Sequence, residues 1–285
     1  MLNAVEVLYL HYINGRTIDD VDQYDFWRKQ YGIDGKTLFN QLLNKNVIYE
    51  DTTPAVTLSK LTVVKLKDVL RKSGIKISGR KQVLISRIVE HSDIIDFHDL
   101  DLKGVYLVTK DFEQHFKNTS FINYFHFNGH ITVQEAYQYY VNHQTLHPEA
   151  VITAVLNENI RSGMKKSNKY EAVKSHLLLS NFYRDTLKDN AQYVFHLNHF
   201  SVLIILESVT RNGHTNTGDP DILDHYTIEK YRHVLEINHW NKTQLYQNIL
   251  ETTRTLPYPA ESIKEAASLI IRQLTAFESL YSPSY

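Results

Sequence analysis

Residues 58–92 read LSKLTVVKLKDVLRKSGIKISGRKQVLISRIVEHS, and this stretch decides how the first part of the chain is built. Thr62 stands where an N-cap belongs, and Val63, Leu66 and Leu70 follow on one helical face. Ser73-Gly74 stops that helix, because glycine supplies the left-handed conformation at the position after the C-cap. Ile75-Lys76-Ile77 is too short for another element and reads as an extended link. Ser78-Gly79 then opens a second helix, whose apolar positions Leu84, Ile85, Ile88 and Val89 form one broad face. Two helices this short bury little apolar surface, so the unit must lean on its neighbours.

The charge of the stretch sets it apart from the rest. It holds nine lysines and arginines (Lys60, Lys65, Lys67, Arg71, Lys72, Lys76, Arg80, Lys81 and Arg87) against Asp68 and Glu90, a local charge of +7. The whole chain carries −1, so the other 250 residues together carry −8. A basic island in an acidic chain is the electrostatic footprint of a polyanion-binding surface.

The segment LTVVKLKDVLRKSGIKISGRKQVLISRIVEH resembles the SAP motif over its whole length, about one eighth of the chain. The resemblance is carried by Leu61-Thr62-Val63, Leu66-Lys67, Gly74, Ser78-Gly79-Arg80-Lys81 and Leu84-Ile85-Ser86-Arg87-Ile88. It implies a helix–extended-loop–helix that binds DNA, in some members with a preference for A/T-rich sequence, and in others RNA or protein. Carried onto this chain, the contact residues are Lys60, Thr62, Lys67, Ser78, Gly79, Arg80, Lys81 and Arg87. The physics agrees. A helix N-terminus offers unpaired N–H groups and a positive dipole end, Ser78 and Gly79 let a phosphate approach, and Arg80, Lys81 and Arg87 add charge. The order of a short helical unit and then SAP also resembles SAP-containing proteins of Gram-positive bacteria and their phages.

Before the island, residues 2–12 suit an apolar helix ended by Asn14-Gly15, and Asp34 can cap a helix running to about Asn46. Val47-Ile48-Tyr49 reads as a short strand. YGIDGKTLFNQLLNKNVI resembles the second half of a winged-helix domain, and a plain helical packing module would give the same pattern. Gly104 to Thr109 has strand character and can pair with 47–49, which makes the island an insertion in a wing.

The expected division is therefore 1–57, an N-terminal helical unit with 104–118 as a wing strand; 58–92, the SAP module; 93–118, linker and strand; and 119–285, a helical C-terminal domain. Candidate helices in the last are 132–143, 148–160, 168–188, 190–209, 222–238, 242–254 and 259–280, with a loop at 211–220. The fold class is mainly α.

Composition narrows the function. With no cysteine, disulfide scaffolds, thiolate zinc fingers, iron–sulfur sites and cysteine nucleophiles are excluded. No basic region precedes the N-terminal apolar run and no apolar stretch is long enough to span a bilayer, so a cytoplasmic protein without membrane contact is expected. Among 15 histidines, His196 and His199 stand at i, i+3 and His143 and His147 at i, i+4. Neither pair has a third ligand in view, and no metal is expected. No phosphate-binding glycine loop, nucleophile elbow or paired-acid set appears, and no catalytic residue or cofactor is nominated. The reading is a non-enzymatic binder of duplex DNA whose C-terminal half serves as scaffold or protein-interaction domain. The alternatives are SAP-mediated binding of RNA or protein, and an enzyme of unrecognised type tethered to DNA.

Overall fold

The computed structural model describes residues 1–97, 100–143, 146–212 and 223–281, without the side chains of 209–212, 280 and 281. The described residues are mainly helical, with one small three-stranded sheet. By contact the chain divides into two compact units, Met1–Val151 and Ile152–Tyr285.

The first unit begins with α1 (Ala4–Ile13), capped by Asn3, which pairs reciprocally with Glu6. Strand β1 (Arg16–Thr17) follows, then α2 (Phe26–Tyr31), α3 (Gly35–Asn44) and β2 (Ile48–Asp51). Asp34 caps α3 as the sequence implies, accepting from the Thr37 amide at 2.7 Å. The chain then passes through α4 (Pro54–Thr57), α5 (Val63–Lys72) and α6 (Lys81–Glu90) before β3 (Val105–Val108). Strand β3 pairs antiparallel with both others, giving the order β1-β3-β2, with Asp51 opposite Val105 and Arg16 opposite Tyr106. Three helices, a short strand after the first and a ribbon after the third, in this sheet order, make the topology of a winged helix. Helices α4 to α6 are inserted where its wing turns.

Two of the expected boundaries fall elsewhere. Helices α7 (Glu113–Asn118), α8 (Phe121–Asn128) and α9 (Val133–Asn142) pack on α1, so the first unit continues past residue 118 to Val151. Helix α1 is buried nearly all round, and its far side needs this cover: the Tyr137 hydroxyl donates to Leu2 O at 3.0 Å, and His11 meets Thr119 Oγ1 at 3.1 Å. The segment after 92 is no free linker either. Ile95 is buried in the core of the inserted module, and Phe97, Leu100 and Leu102 pack against it. A chain ending at residue 118 strips α8 and α9 from α1 and should give collapsed, undispersed amide spectra. Residues 1–147 should give dispersed ones, and equal dispersion from both would place the boundary back at 118.

The second unit is helical throughout its described residues. It comprises most of α10 (Pro148–Gly163), then α11 (Tyr170–Phe182), α12 (Asn190–Asn212), α13 (His225–Asn238), α14 (Lys242–Thr253) and α15 (Ala260–Tyr281). Each expected helix is present within a few residues, except that 168–188 splits into α11 and a π-helical turn at Tyr183–Leu187. The expected loop at 211–220 begins inside α12, and its remainder from 213 lies outside the described residues. Helix α12 is the centre, packed by α11, α14 and α15. Asn198 is buried there and satisfied: it donates to Asn248 at 2.9 Å and Thr252 at 3.0 Å, and accepts from Tyr231 at 3.2 Å.

Candidate nucleic-acid interface

The inserted module has its own core: Leu58, Leu66, Val69, Leu70, Leu84, Ile85, Ile88 and Ile95. Ile75 and Ile77 of the extended link pack on it, which fixes the link between the helices. Thr62 caps α5, accepting from the Lys65 amide at 3.3 Å. Helix α5 ends as its sequence requires: Gly74 lies at φ +68°, and the Ile75 amide donates back to Leu70 O at 2.8 Å.

The start of α6 differs from the expectation. Ser78 and Gly79 lie before the helix, Arg80 is its N-cap, and no side chain caps it. The amides of Lys81, Gln82 and Val83 have no hydrogen-bond acceptor among the described residues. Gly79 sits at φ +133°, where a Cβ would come within 3.0 Å of Val83 Cγ1, so only glycine fits without strain. The result is a helix N-terminus open to solvent, with Ser78, Gly79, Arg80 and Lys81 all exposed around it.

The cations divide by what they touch. The side chains of Arg80, Lys65, Lys72 and Lys76 make no hydrogen bond or ion pair among the described residues, and all four residues are exposed. Lys81 Nζ donates to Ser59 O at 2.6 Å, and Lys60 Nζ donates to Gly15 O, tying the module to the turn before β1. Lys67 is half-buried on α5, and Arg71 is paired with Asp68. Arg87 is half-buried, and its Nη1 donates to Lys76 O at 2.6 Å and Ser78 O at 2.9 Å. It holds the extended link against α6, so its first effect is to position the Ser78-Gly79 approach. Sequence reasoning saw that an arginine stood there but not its direction. It also passed over Lys72 and Lys76, whose only signal was charge.

The histidine pairs part company. His143 ends α9, stacks on Tyr139 and meets Tyr139 O at 2.9 Å, while His147 precedes α10. His196 and His199 are buried together with His176 of α11, which the sequence did not indicate. His176 Nδ1 meets His196 Nδ1 at 2.9 Å and the His176 ring stacks on His199. Burial, then the neighbouring rings, pushes His176 well below the ordinary imidazole value, and burial takes His196 down to about 3. Among the described residues no group of three His, Cys, Asp or Glu has metal-holding geometry. A separate open groove of mixed charge in the second unit is lined by Arg184, Asp185, Lys188, Lys230, Arg232 and Glu236. There Arg184 is paired with Asp185 and Arg232 with Glu236.

The module is thus a helix–extended-loop–helix whose second helix starts uncapped, with Arg80 and Lys81 exposed beside it. Residues 57–92 match the family model of the SAP domain, so the chain contains a SAP-type module. No curated protein and no solved structure matches the chain. No helix among the described residues is long and apolar enough to cross a membrane.

Proposed function

We propose that this is a non-enzymatic cytoplasmic protein, of bacterial or phage type, that binds duplex DNA through its SAP module. The C-terminal unit serves as scaffold or protein-interaction domain. The observation that carries the reading is the start of α6, where three amides without an acceptor follow a glycine-lined approach and the exposed N-cap residue Arg80. That combination suits one phosphate oxygen cluster, because the helix dipole and the amides favour an anion and glycine admits it closely. None of these groups reads a base edge, so binding is dominated by phosphate and depends on salt. A preference for A/T-rich duplexes would arise from groove shape.

The test is binding of the intact protein to duplex DNA, single-stranded DNA and RNA of one length, over a range of salt. Duplex DNA should bind with a dissociation constant on the order of micromolar. Changing Arg80 and Lys81 to alanine should flatten the slope of log affinity against log salt by about 2 units. Both side chains are exposed, so the fold should persist. A double variant with the parent's slope would remove α6 as the contact, and tighter binding of RNA would replace DNA as the partner.

A further inference from the structure

We infer that the open groove of the second unit, between the turn that ends α11 and the outer face of α13, is a binding site for a nucleoside monophosphate. The inference is independent of the SAP module and gives the C-terminal unit a small-molecule ligand.

One wall is the π-helical turn Tyr183–Leu187 with the residue after it, which present Arg184, Asp185 and Lys188. The other wall is α13, which presents Tyr226, Glu229 and Lys230. Three hydrogen bonds fix the walls. Lys230 Nζ donates to Asn181 Oδ1 at 2.8 Å, the Tyr193 hydroxyl donates to Lys230 O at 3.3 Å, and Asn190 Nδ2 donates to Asn238 Oδ1 at 2.7 Å. The groove therefore stands formed, and a ligand does not bear the cost of ordering it.

The chain does not supply enough negative charge to match the cations of the groove. Arg184 holds Asp185 in bidentate fashion, at 2.7 and 2.9 Å, and uses two of its five N–H donors there. Lys230 is half-buried and has no carboxylate within ion-pair distance among the described residues. Its contact with Asn181 uses one of three donors and brings no opposite charge. Burial, and then the nearby Arg184 charge, hold the Lys230 amine below the ordinary lysine value. The Lys188 side chain makes no hydrogen bond or ion pair among the described residues, and its backbone sits at φ +57°, where glycine would be easier. Three cations (Arg184, Lys188 and Lys230) less the Asp185 carboxylate leave +2. A phosphate monoester brings about −1.5 to −2 and three acceptor oxygens, whereas a carboxylate brings only about −1. The remaining acids have neighbours of their own: Glu236 lies 3.8 Å from Arg232, and Glu229 lies 3.8 Å from His225.

The groove is larger than a bare phosphate needs. Its volume is about 740 Å³, and Tyr226, one helical turn before Lys230, is 75% exposed. A nucleobase stacks on an exposed aromatic ring, and Glu229, on the same face of α13, is an acceptor for ribose hydroxyls.

Calorimetric titration of the full chain with adenosine monophosphate, inorganic phosphate and adenosine tests the site. The nucleotide should bind with a dissociation constant on the order of 10 µM, and phosphate or adenosine alone at least about tenfold more weakly. Lys230→Met keeps the apolar stem and should weaken the nucleotide by about tenfold or more, the loss of a charge-assisted hydrogen bond. Tyr226→Ala should weaken the nucleotide and leave inorganic phosphate unchanged. Asp185→Asn should tighten the nucleotide severalfold, because Arg184 is released to the phosphate. Tyr226 and Asp185 are exposed, so these variants keep the fold, with circular dichroism as the check. Arg80→Ala with Lys81→Ala should bind the nucleotide as the parent does, whatever becomes of DNA binding. Nucleotide binding lost in that variant would place the ligand on the SAP module and overturn the inference. So would no binding at millimolar nucleotide, parental affinity in Lys230→Met and Tyr226→Ala, or equal affinity for nucleotide and inorganic phosphate. A single-stranded oligodeoxynucleotide that displaces the nucleotide at lower concentration would make the groove a nucleic-acid contact instead.

Discussion

At about pH 5 the C-terminal unit should be less stable than at about pH 8, by about 2 kcal/mol from His196 and by a further loss of the same sign from His176. His176, His196 and His199 are buried in contact with one another, with Tyr183 stacked on His196 and Phe195 against His199. No carboxylate is among these contacts, so nothing compensates a proton placed there. In the folded chain His176 lies well below the ordinary value and His196 at about 3, each chiefly by burial. The unfolded chain binds protons near the ordinary value of about 6.5. Folded values are thus depressed: the stabilisation is full above about pH 6.5 and is lost as the pH falls toward the buried values. At about pH 5 His196 costs about 2 kcal/mol, and His176, lowered by burial, adds a loss of the same sign. His199, also lowered by burial, acts in the same direction. The loss is a large part of the roughly 5–15 kcal/mol that stabilises a domain. Hydrogen exchange of amides in α11 and α12 at the two pH values measures it without interference from the first unit. A variant with His176 and His196 both changed to leucine should lose most of the pH dependence, and equal protection of the parent at both pH values would refute the account.

This cluster also shows where sequence reading ends. His196 and His199 are one helical turn apart and visible as a pair, but their partner His176 comes from another helix and only the packing of α11 on α12 brings it in. The same division runs through the fold. Helices with a capping residue and a long apolar period were legible: α3 behind Asp34, α5 behind Thr62 and α9 behind Thr132. Helices α7 and α8 were not, because Thr119 and Ser120 between them carry no glycine or proline and Ser120 makes no cap bond. Strand β1 spans two residues, too few for an alternation to register. Phe97, Leu100 and Leu102 follow no period, so their burial against the module could be learned only from its core. At the site, residue types were legible and directions were not. Gly74 and Gly79 hold the backbone conformations that glycine allows, whereas Arg87 turns inward to two carbonyls.

The independence of that core leads to the largest expected effect on binding. The apolar side chains of the SAP module pack on one another and on Ile95, Phe97, Leu100 and Leu102, and no residue of α1, α3 or the sheet belongs to the cluster. Both ends of the insertion meet in the sheet, where Asp51 pairs with Val105. Two residues can join such a pair when both take positive φ, and Asn-Gly does so with the twist that suits the strands. Replacing residues 52–104 by Asn-Gly should therefore leave the rest of Met1–Val151 folded. The contact of Lys60 with Gly15 O and the ion pair of Lys103 with Asp19 are lost, and both are exposed at the surface. Together they should cost on the order of 1 kcal/mol. DNA affinity at low salt should fall by about two orders of magnitude or more, because the deletion removes ten of the chain's lysines and arginines and the open N-terminus of α6. What binding remains should vanish in moderate salt. Far-ultraviolet circular dichroism and amide dispersion report the fold, and titration with duplex DNA reports the loss. A deleted chain that folds and binds DNA with the parent's affinity and salt slope would show that the basic island is a solvated surface and not the contact.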